Sequence, residues 1–492
     1  MRLTLLLGLS VALAQALVIH VPSEQPTIQA GLNAARTGDT VLVASGTYFE
    51  RLTWPARDGI TLLSEAGPDS TIVNARDSGR VVTMNALDYT SATRLCGFTL
   101  TRGLVSTYPG NGAGLWCRGS PEICHNHITD NHLSTMGYGG GVYADGAPLF
   151  HDNLVAWDTI WNEGGGGWRY GAGVFCSGSG IFIQNVFLEN CAMGGEGGFW
   201  YGGGLHLAGG RPVVFANLFL RNRMGTSTGG ISYGGGLYVN NATAYVVNNT
   251  FVANVCSTAI THGAGIFVEN SSTSIVKNNI LFGNICDGLG RAGGAIASYP
   301  DTLGETLDVD YNDVWANLPD AYYGVRVGLH SLALDPLFVT GARGPYYLSQ
   351  TAAGQPETSP CCDAGDTVMR TPVNLDSLIH AWTTRTDSVP DMGVPDMGYH
   401  YCRTVLTGST EIPAATLARH AFLPGITRGR VRFMSGRPGV LWLIDAAGRR
   451  ALKHEVNAGS NTLELAGLRP GVYLARLESP DQTSPGRLVK LP

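Results

Sequence analysis

From about residue 110 to residue 317 the chain alternates apolar and polar positions in short bursts, each burst following a glycine-rich phrase. One parity of the alternation carries Leu115, Val142, Val174, Leu205, Leu237 and Ile266, and two positions later Cys117, Ala144, Cys176, Leu207, Val239 and Val268. The other parity carries Trp116, Tyr143, Phe175, His206, Tyr238 and Phe267, then Arg118, Asp145, Ser177, Ala208, Asn240 and Glu269. A period of two predicts strands whose faces differ. The uniformly apolar parity should point into a core. The aromatic parity, ending in polar residues, should lie on an outer face.

The bursts recur in register. The second small residue of each phrase falls at Gly114, Gly141, Gly173, Gly204, Gly236, Gly265 and Gly294, in steps of 27, 32, 31, 32, 29 and 29. A second phrase follows each, beginning at Asn126, Asn153, Asn185, Asn217, Asn249, Asn279 and Asn312, and five residues on stand Asn131, Asp158, Asn190, Asn222, Asn254, Asn284 and Asn317. A single coil of about thirty residues cannot bury its own apolar face, so like coils must stack about 4.8 Å apart. Stacked Asn side chains then hydrogen-bond along the column as amide ladders. The expected fold is all-β: a parallel β-solenoid. Its open end would expose apolar core and unpaired strand edge. Ile28, Leu32 and Ala35 at helical spacing, with Pro26 ahead of them, predict a short capping helix there.

These residues resemble the right-handed parallel β-helix proteins of the pectin-lyase-like superfamily, from about residue 18 to 402. "PTIQAGLNAARTGDTVLVASGTYFERL" is similar to that family's capped opening coil, and "TRLCGFTLTRG" from Thr93 to its next coil. "DPLFV" at Asp335, "SPCCDAGD" at Ser359 and "DMGYHY" at Asp396 resemble its closing phrases. The resemblance implies the right-handed architecture and no particular reaction. The NTD, DD, GHG and RIK series of polygalacturonase-like members is absent, and so is a recurring Asp cluster of the pectate-lyase-like kind.

Three segments follow: 1–16, 17–403 and 404–492. The first, "MRLTLLLGLSVALAQA", has the charge, apolar core and small-residue order of a secretory signal, with cleavage expected after Ala14 or Ala16. No later run reaches eighteen apolar residues, so no transmembrane segment is expected in the mature chain. The last segment loses the repeat and alternates around Gly, Pro and Asp-containing turns, which predicts a small antiparallel β-sandwich. "LIDAAGRR", "LRPGVYLARL" and "GRLVKLP" resemble the C-terminal sorting domain of the bacterial type IX secretion machinery; an immunoglobulin-like accessory domain is the alternative. The resemblance implies secretion or attachment at the bacterial cell surface, with the secretion machinery as a partner.

Composition narrows the partners. Gly makes up 67 of 492 residues, about twice the usual share, whereas charged residues at 14% fall well below the norm of roughly 25%. A net charge of -6 offers no basic footprint for nucleic acid. No cofactor is predicted. The repeated glycines enter strands and never precede an amphipathic helix, which excludes a dinucleotide fingerprint.

The aromatic column Trp116, Tyr143, Phe175, Tyr238 and Phe267 is a candidate sugar-stacking platform; the alternative is cross-strand packing beneath loops. Loops ahead of the glycine phrases add Trp161, Trp168, Tyr170, Phe199, Trp200 and Tyr201, the densest aromatic cluster in the chain, of which Trp161, Trp168, Trp200 and Tyr201 are binding candidates. Glu163 and Glu196 sit in adjacent loops with Arg169 and His206 nearby in register, weak candidates for a carboxylate pair acting on a glycosidic bond. Three functions therefore stand open: a noncatalytic polysaccharide binder, a polysaccharide lyase or glycosidase, and a structural or adhesion protein. Cys256 with Cys286, and Cys96 with Cys124, align on neighbouring coils and are disulfide candidates or buried thiols. Cys402 with Cys361 or Cys362 could close the last segment. No metal site is expected, since neither CxxC nor His-rich spacing occurs.

Overall fold

A computed structural model describes residues 16–402, apart from 163, 165, 196, 226–228, 270–273, 300–306 and 369–374, together with strand segments between 426 and 490. The expected signal segment lies outside the described residues, save for Ala16.

One coil shows the plan. Val142–Gly146, Leu149–His151 and Leu154–Ala156 build the three walls of the tube; Thr159–Asn162 then leaves it and Trp168–Tyr170 returns. Stacking each segment on its counterparts gives a front sheet of 10 strands, a side sheet of 11 and a back sheet of 10, with outgoing and returning arch sheets of 7 strands each. Pairing is parallel and in register, Val142 opposite Leu115 on one side and Val174 on the other. The chain is a right-handed parallel β-solenoid.

The apolar parity does enter the tube. Val142, Val174, Leu205 and Leu237 from the front meet Phe150, Phe182 and Val214 from the side and Val155, Phe187 and Phe219 from the back in one continuous core. Phe187, Phe219 and Phe251 form a stack with ring centroids 4.6 and 4.4 Å apart. The capping helix runs Ile28–Ala34, with Ile28 and Leu32 buried over the first coil.

Both amide ladders form. In the side-to-back turn, Asn153 Nδ2 donates to Asn185 Oδ1 at 3.1 Å, Asn185 to Asn217 at 3.0 Å and Asn217 to Asn249 at 3.0 Å. In the back-to-arch turn, Asn190 donates to Asn222 at 3.0 Å and Asn222 to Asn254 at 2.9 Å. The ladders also explain the small residue just before each inward aliphatic, glycine at 114, 141, 173, 204, 236 and 265 and Ala295 in the coil after them. A Cβ on Gly204 would point inward, 2.7 Å from the Gly236 carbonyl oxygen, 3.0 Å from Phe219 and 3.1 Å from Asn222 Nδ2.

The closing segment folds back over the outside of the tube. Tyr346, Tyr347, Tyr399 and Tyr401 cover Leu154, Val186, Leu188 and Leu218 of the back sheet. Leu375, Ile379 and Trp382 cover Phe215 and Val247 of the side sheet. Gln184 donates to the His400 carbonyl at 2.7 Å and Asn248 to that of Asp396 at 2.9 Å, which ties the segment to the turn between those sheets. In the C-terminal part, Gly439–Asp445 pairs antiparallel with Arg450–Val456 and with Gly471–Ser479, and Arg430–Ser435 pairs antiparallel with Gly459–Glu464 in a second small sheet.

Candidate functional site

Two places gather chemistry-bearing side chains. The first is the corner where the returning arch sheet meets the front sheet. Gly171, Gly202 and Gly234, with φ of 64°, 74° and 67°, bend the chain sharply there. The outward residues of both sheets are thereby turned toward one another. Tyr138, Tyr170, Tyr201, Tyr233 and His262 of the arch pack against Tyr143, Phe175, His206, Tyr238 and Phe267 of the front sheet. Tyr170 meets His206 at 5.1 Å between centroids, Tyr201 meets Tyr238 at 4.9 Å and Tyr233 meets Phe267 at 4.5 Å.

This corrects the reading of the aromatic column as a sugar platform. It lies on the outer face, as its parity requires, yet Phe175, His206, Tyr238 and Phe267 are buried. What covers them is an arch sheet, an element with its own aromatic ladder. Burial holds the His206 imidazole down at about 3, despite the Tyr201 carbonyl beside it, so the ring is neutral. Tyr143 is half-buried, and the Trp116 ring faces the Arg80 guanidinium at 4.8 Å.

The arch aromatics divide the same way. Trp200 is 0% exposed inside the arch, where the equally buried Arg169 guanidinium lies 5.1 Å from its ring. Neither can meet a polysaccharide, because their strand positions face the outgoing sheet. Arg169 donates to the Asn162 carbonyl at 3.2 Å. Trp161 and Trp168 are 45% and 52% exposed, and Tyr201 is half-buried. Trp168 stacks on Phe199 of the next coil, centroids 6.3 Å apart, beside the stack of Tyr138, Tyr170 and Tyr201. Glu163 and Glu196 lie outside the described residues. With Arg169 and His206 buried, two of the four groups of the hydrolytic reading are withdrawn from any substrate.

The second place was not found by reading along the chain. On the outer face of the side sheet, Cys96, Cys124 and His151 are consecutive rungs of one column, and Arg94 and Glu122 are neighbours in the next. Arg94 Nε lies 3.0 Å from Glu122 Oε1 and donates to Cys124 Sγ at 3.3 Å. His151 Nε2 lies 3.1 Å from Glu122 Oε1, and its Nδ1 lies 2.7 Å from Asp152 Oδ2. Burial opposes charge on His151, but hydrogen bonds to Asp152, Cys124 and Glu122 outweigh it and raise the imidazole to about 11. The Glu122 carboxyl is held below its ordinary range, chiefly by its bond to His151 and against the cost of burial. His125 packs edge-on to His151 at 5.7 Å, and its Nδ1 is buried with no hydrogen-bond partner. Beyond it opens a cleft lined by Cys96, Gly97, His125 and the loop Leu63 to Gly67. The signal for this cluster was the coil period itself, since its members are adjacent only in register.

All ten cysteines are free thiols. Cys256 and Cys286 are register partners, as are Cys96 and Cys124. Parallel neighbouring strands carry their Cβ bonds side by side, however, which is unfavourable for bridging. Cys361 donates to Asp313 at 3.3 Å instead of bonding Cys402.

Among the described residues no helix is long and apolar enough to cross a membrane. No curated protein and no solved structure matches the chain. Residues 111–299 match the family described as a right handed beta helix region.

Proposed function

We propose that the protein is an exported, noncatalytic β-solenoid that binds an extended polysaccharide along the outer face of its returning arch sheet. The observation that carries this reading is the half-exposed Trp168 stacked on Phe199, beside the partly exposed Tyr138, Tyr170 and Tyr201. The tyrosines repeat over three successive coils, Tyr138, Tyr170 and Tyr201, and Trp168 and Phe199 over two, so an extended chain along the axis meets a short aromatic ladder. Because their faces stack on one another, they offer solvent chiefly ring edges and phenol hydroxyls, suited to the mixed C–H and hydroxyl surface of a sugar. Burial of Arg169 and His206 favours binding over hydrolysis. The signal-like start and the sorting-domain-like tail support export to the cell surface or medium.

A polysaccharide array that reports both retention and released product tests the reading. Retention without cleavage is expected, weakened in a Trp168→Ala, Phe199→Ala double variant of unchanged melting behaviour. Cleavage, silence on a broad panel, or undiminished retention by that variant would overturn it. Fractionation of cells producing the full chain, with and without residues 404–492, tests the export role.

A further inference from the structure

We propose that Cys96, Cys124, His151 and Glu122 form a site for a thiophilic divalent cation of the zinc class on the outer face of the side sheet. The donors are of the right kind. Two sulfurs, an imidazole nitrogen and a carboxylate oxygen suit a tetrahedral ion with bonds of about 2.0–2.3 Å. They are also close enough: ligand atoms of Glu122, Cys124 and His151 all lie within 4.8 Å of one another. Cys96 is the next rung of the same column, directly opposite Cys124 in the parallel register. Closing the set on an ion requires side-chain rotation, with no change in the coil.

Three further observations point to a cation rather than to a chance grouping. Asp152 holds His151 Nδ1 at 2.7 Å, which directs the other ring nitrogen at Glu122 and Cys124. A carboxylate behind a ligating imidazole is the usual way its tautomer and orientation are fixed. Arg94, whose side chain is 37% exposed, already places its Nε between Glu122 and Cys124. The point between these donors thus attracts positive charge, and the guanidinium is free to swing outward. Finally, His125 is 8% exposed with an unpartnered Nδ1, and it shares with Cys96 the wall of an open cleft. That cleft gives an ion a path to the cluster. The apolar cover of the side sheet lies over Phe215 and Val247 and reaches Ile183, the rung after His151, but includes none of Cys96, Cys124, Glu122 and His151.

Binding replaces the protons on the two thiols and on the ligating ring nitrogen by dative bonds, adds the Glu122 carboxylate as fourth donor, and releases the displaced protons to solvent; no electron transfer is involved. The test uses the full chain, reduced and stripped with a chelator, then titrated with Co2+ and with Zn2+. One equivalent of Co2+ should produce thiolate charge-transfer and tetrahedral ligand-field absorption, and Zn2+ should displace it. Cys124→Ser and His151→Ala should each weaken binding at least about tenfold, and Asp152→Asn by about 10–100-fold. Cys256→Ser, remote from the cluster, should leave it unchanged. Arg94→Gln should tighten it. If Cys124→Ser fails to fold, Glu122→Gln on the outer surface reads the same loss. Absence of uptake by folded, reduced protein, or uptake unaltered by the ligand variants, would overturn the proposal.

Discussion

Asn131 donates its side-chain amide to Asp158 Oδ1 at 2.9 Å, while Asp158 Oδ2 is buried without a hydrogen-bond partner. Every other rung of that ladder is an Asn, whose second side-chain atom is a donor. An unmatched buried polar atom costs about 1–3 kcal/mol, so Asp158→Asn should stabilise the fold by that amount at pH 7.5. Burial raises the Asp158 carboxyl well above its ordinary range. The folded state therefore keeps a proton that the unfolded chain loses near pH 3.9, and stability falls as pH rises from there toward the folded value. The advantage of Asp158→Asn should accordingly be small near pH 4 and larger at pH 7.5. Urea midpoints at both values decide the matter; a variant no more stable than the parent at pH 7.5 would contradict it.

His206 gives the opposite dependence. Its folded value of about 3 lies below the unfolded one of about 6.5. Its contribution is complete above pH 6.5 and is lost as pH falls, by about 1.4 kcal/mol per pH unit once the unfolded imidazole is protonated. Phe at this position would sit between Phe175 and Tyr238, whose centroids are 5.0 and 4.7 Å from the imidazole. His206→Phe should therefore shift acid unfolding to lower pH. An unchanged acid midpoint would show that other groups govern it.

Gly204→Ala should destabilise by about 1–3 kcal/mol or more, because a methyl group is forced against backbone, Phe219 and the ladder amide at once. Gly166→Ala serves as the comparison. Gly166 has a φ of 75° but nothing within 4 Å of its would-be Cβ. Only the backbone term of about 1–2 kcal/mol applies there. Gly204 itself has no positive φ, so a negligible loss on Gly204→Ala in chemical denaturation would mean that space does not select this glycine.

Trp200 and Trp168 should separate stability from binding. Truncating the buried Trp200 to Ala should cost about 3–5 kcal/mol, with little change in polysaccharide retention by the fraction that remains folded. Trp168→Ala should do the reverse. Calorimetry and array retention measured on both variants test this directly; parallel losses in the two would remove the distinction.

The coil was legible because each of its requirements recurs. The inward column, both Asn columns and the capping helix at Ile28 could all be placed by period and alternation. What period could not show is how far the chain bends between two strands. Parity put Phe175 and Tyr238 outside, correctly, but only the sharp turns at Gly171 and Gly234 show that a second sheet folds down upon them. Period did align Cys96 with Cys124, but it did not bring His151, Glu122 and Arg94 to them. The members of that column stand a whole coil apart in the chain, far from any local metal-ligand spacing, and become neighbours only through parallel register.

The two arch sheets each stop at seven strands, whereas the tube continues at both ends. Six strand spacings of about 4.8 Å give the arch face a length of about 29 Å. Because each ladder amide also bonds the Asn of the neighbouring coil, that length changes in steps of a complete coil. The arch face is thus graduated in steps of one strand spacing, and on the polysaccharide reading a chain with one coil more or fewer would offer a face longer or shorter by that unit.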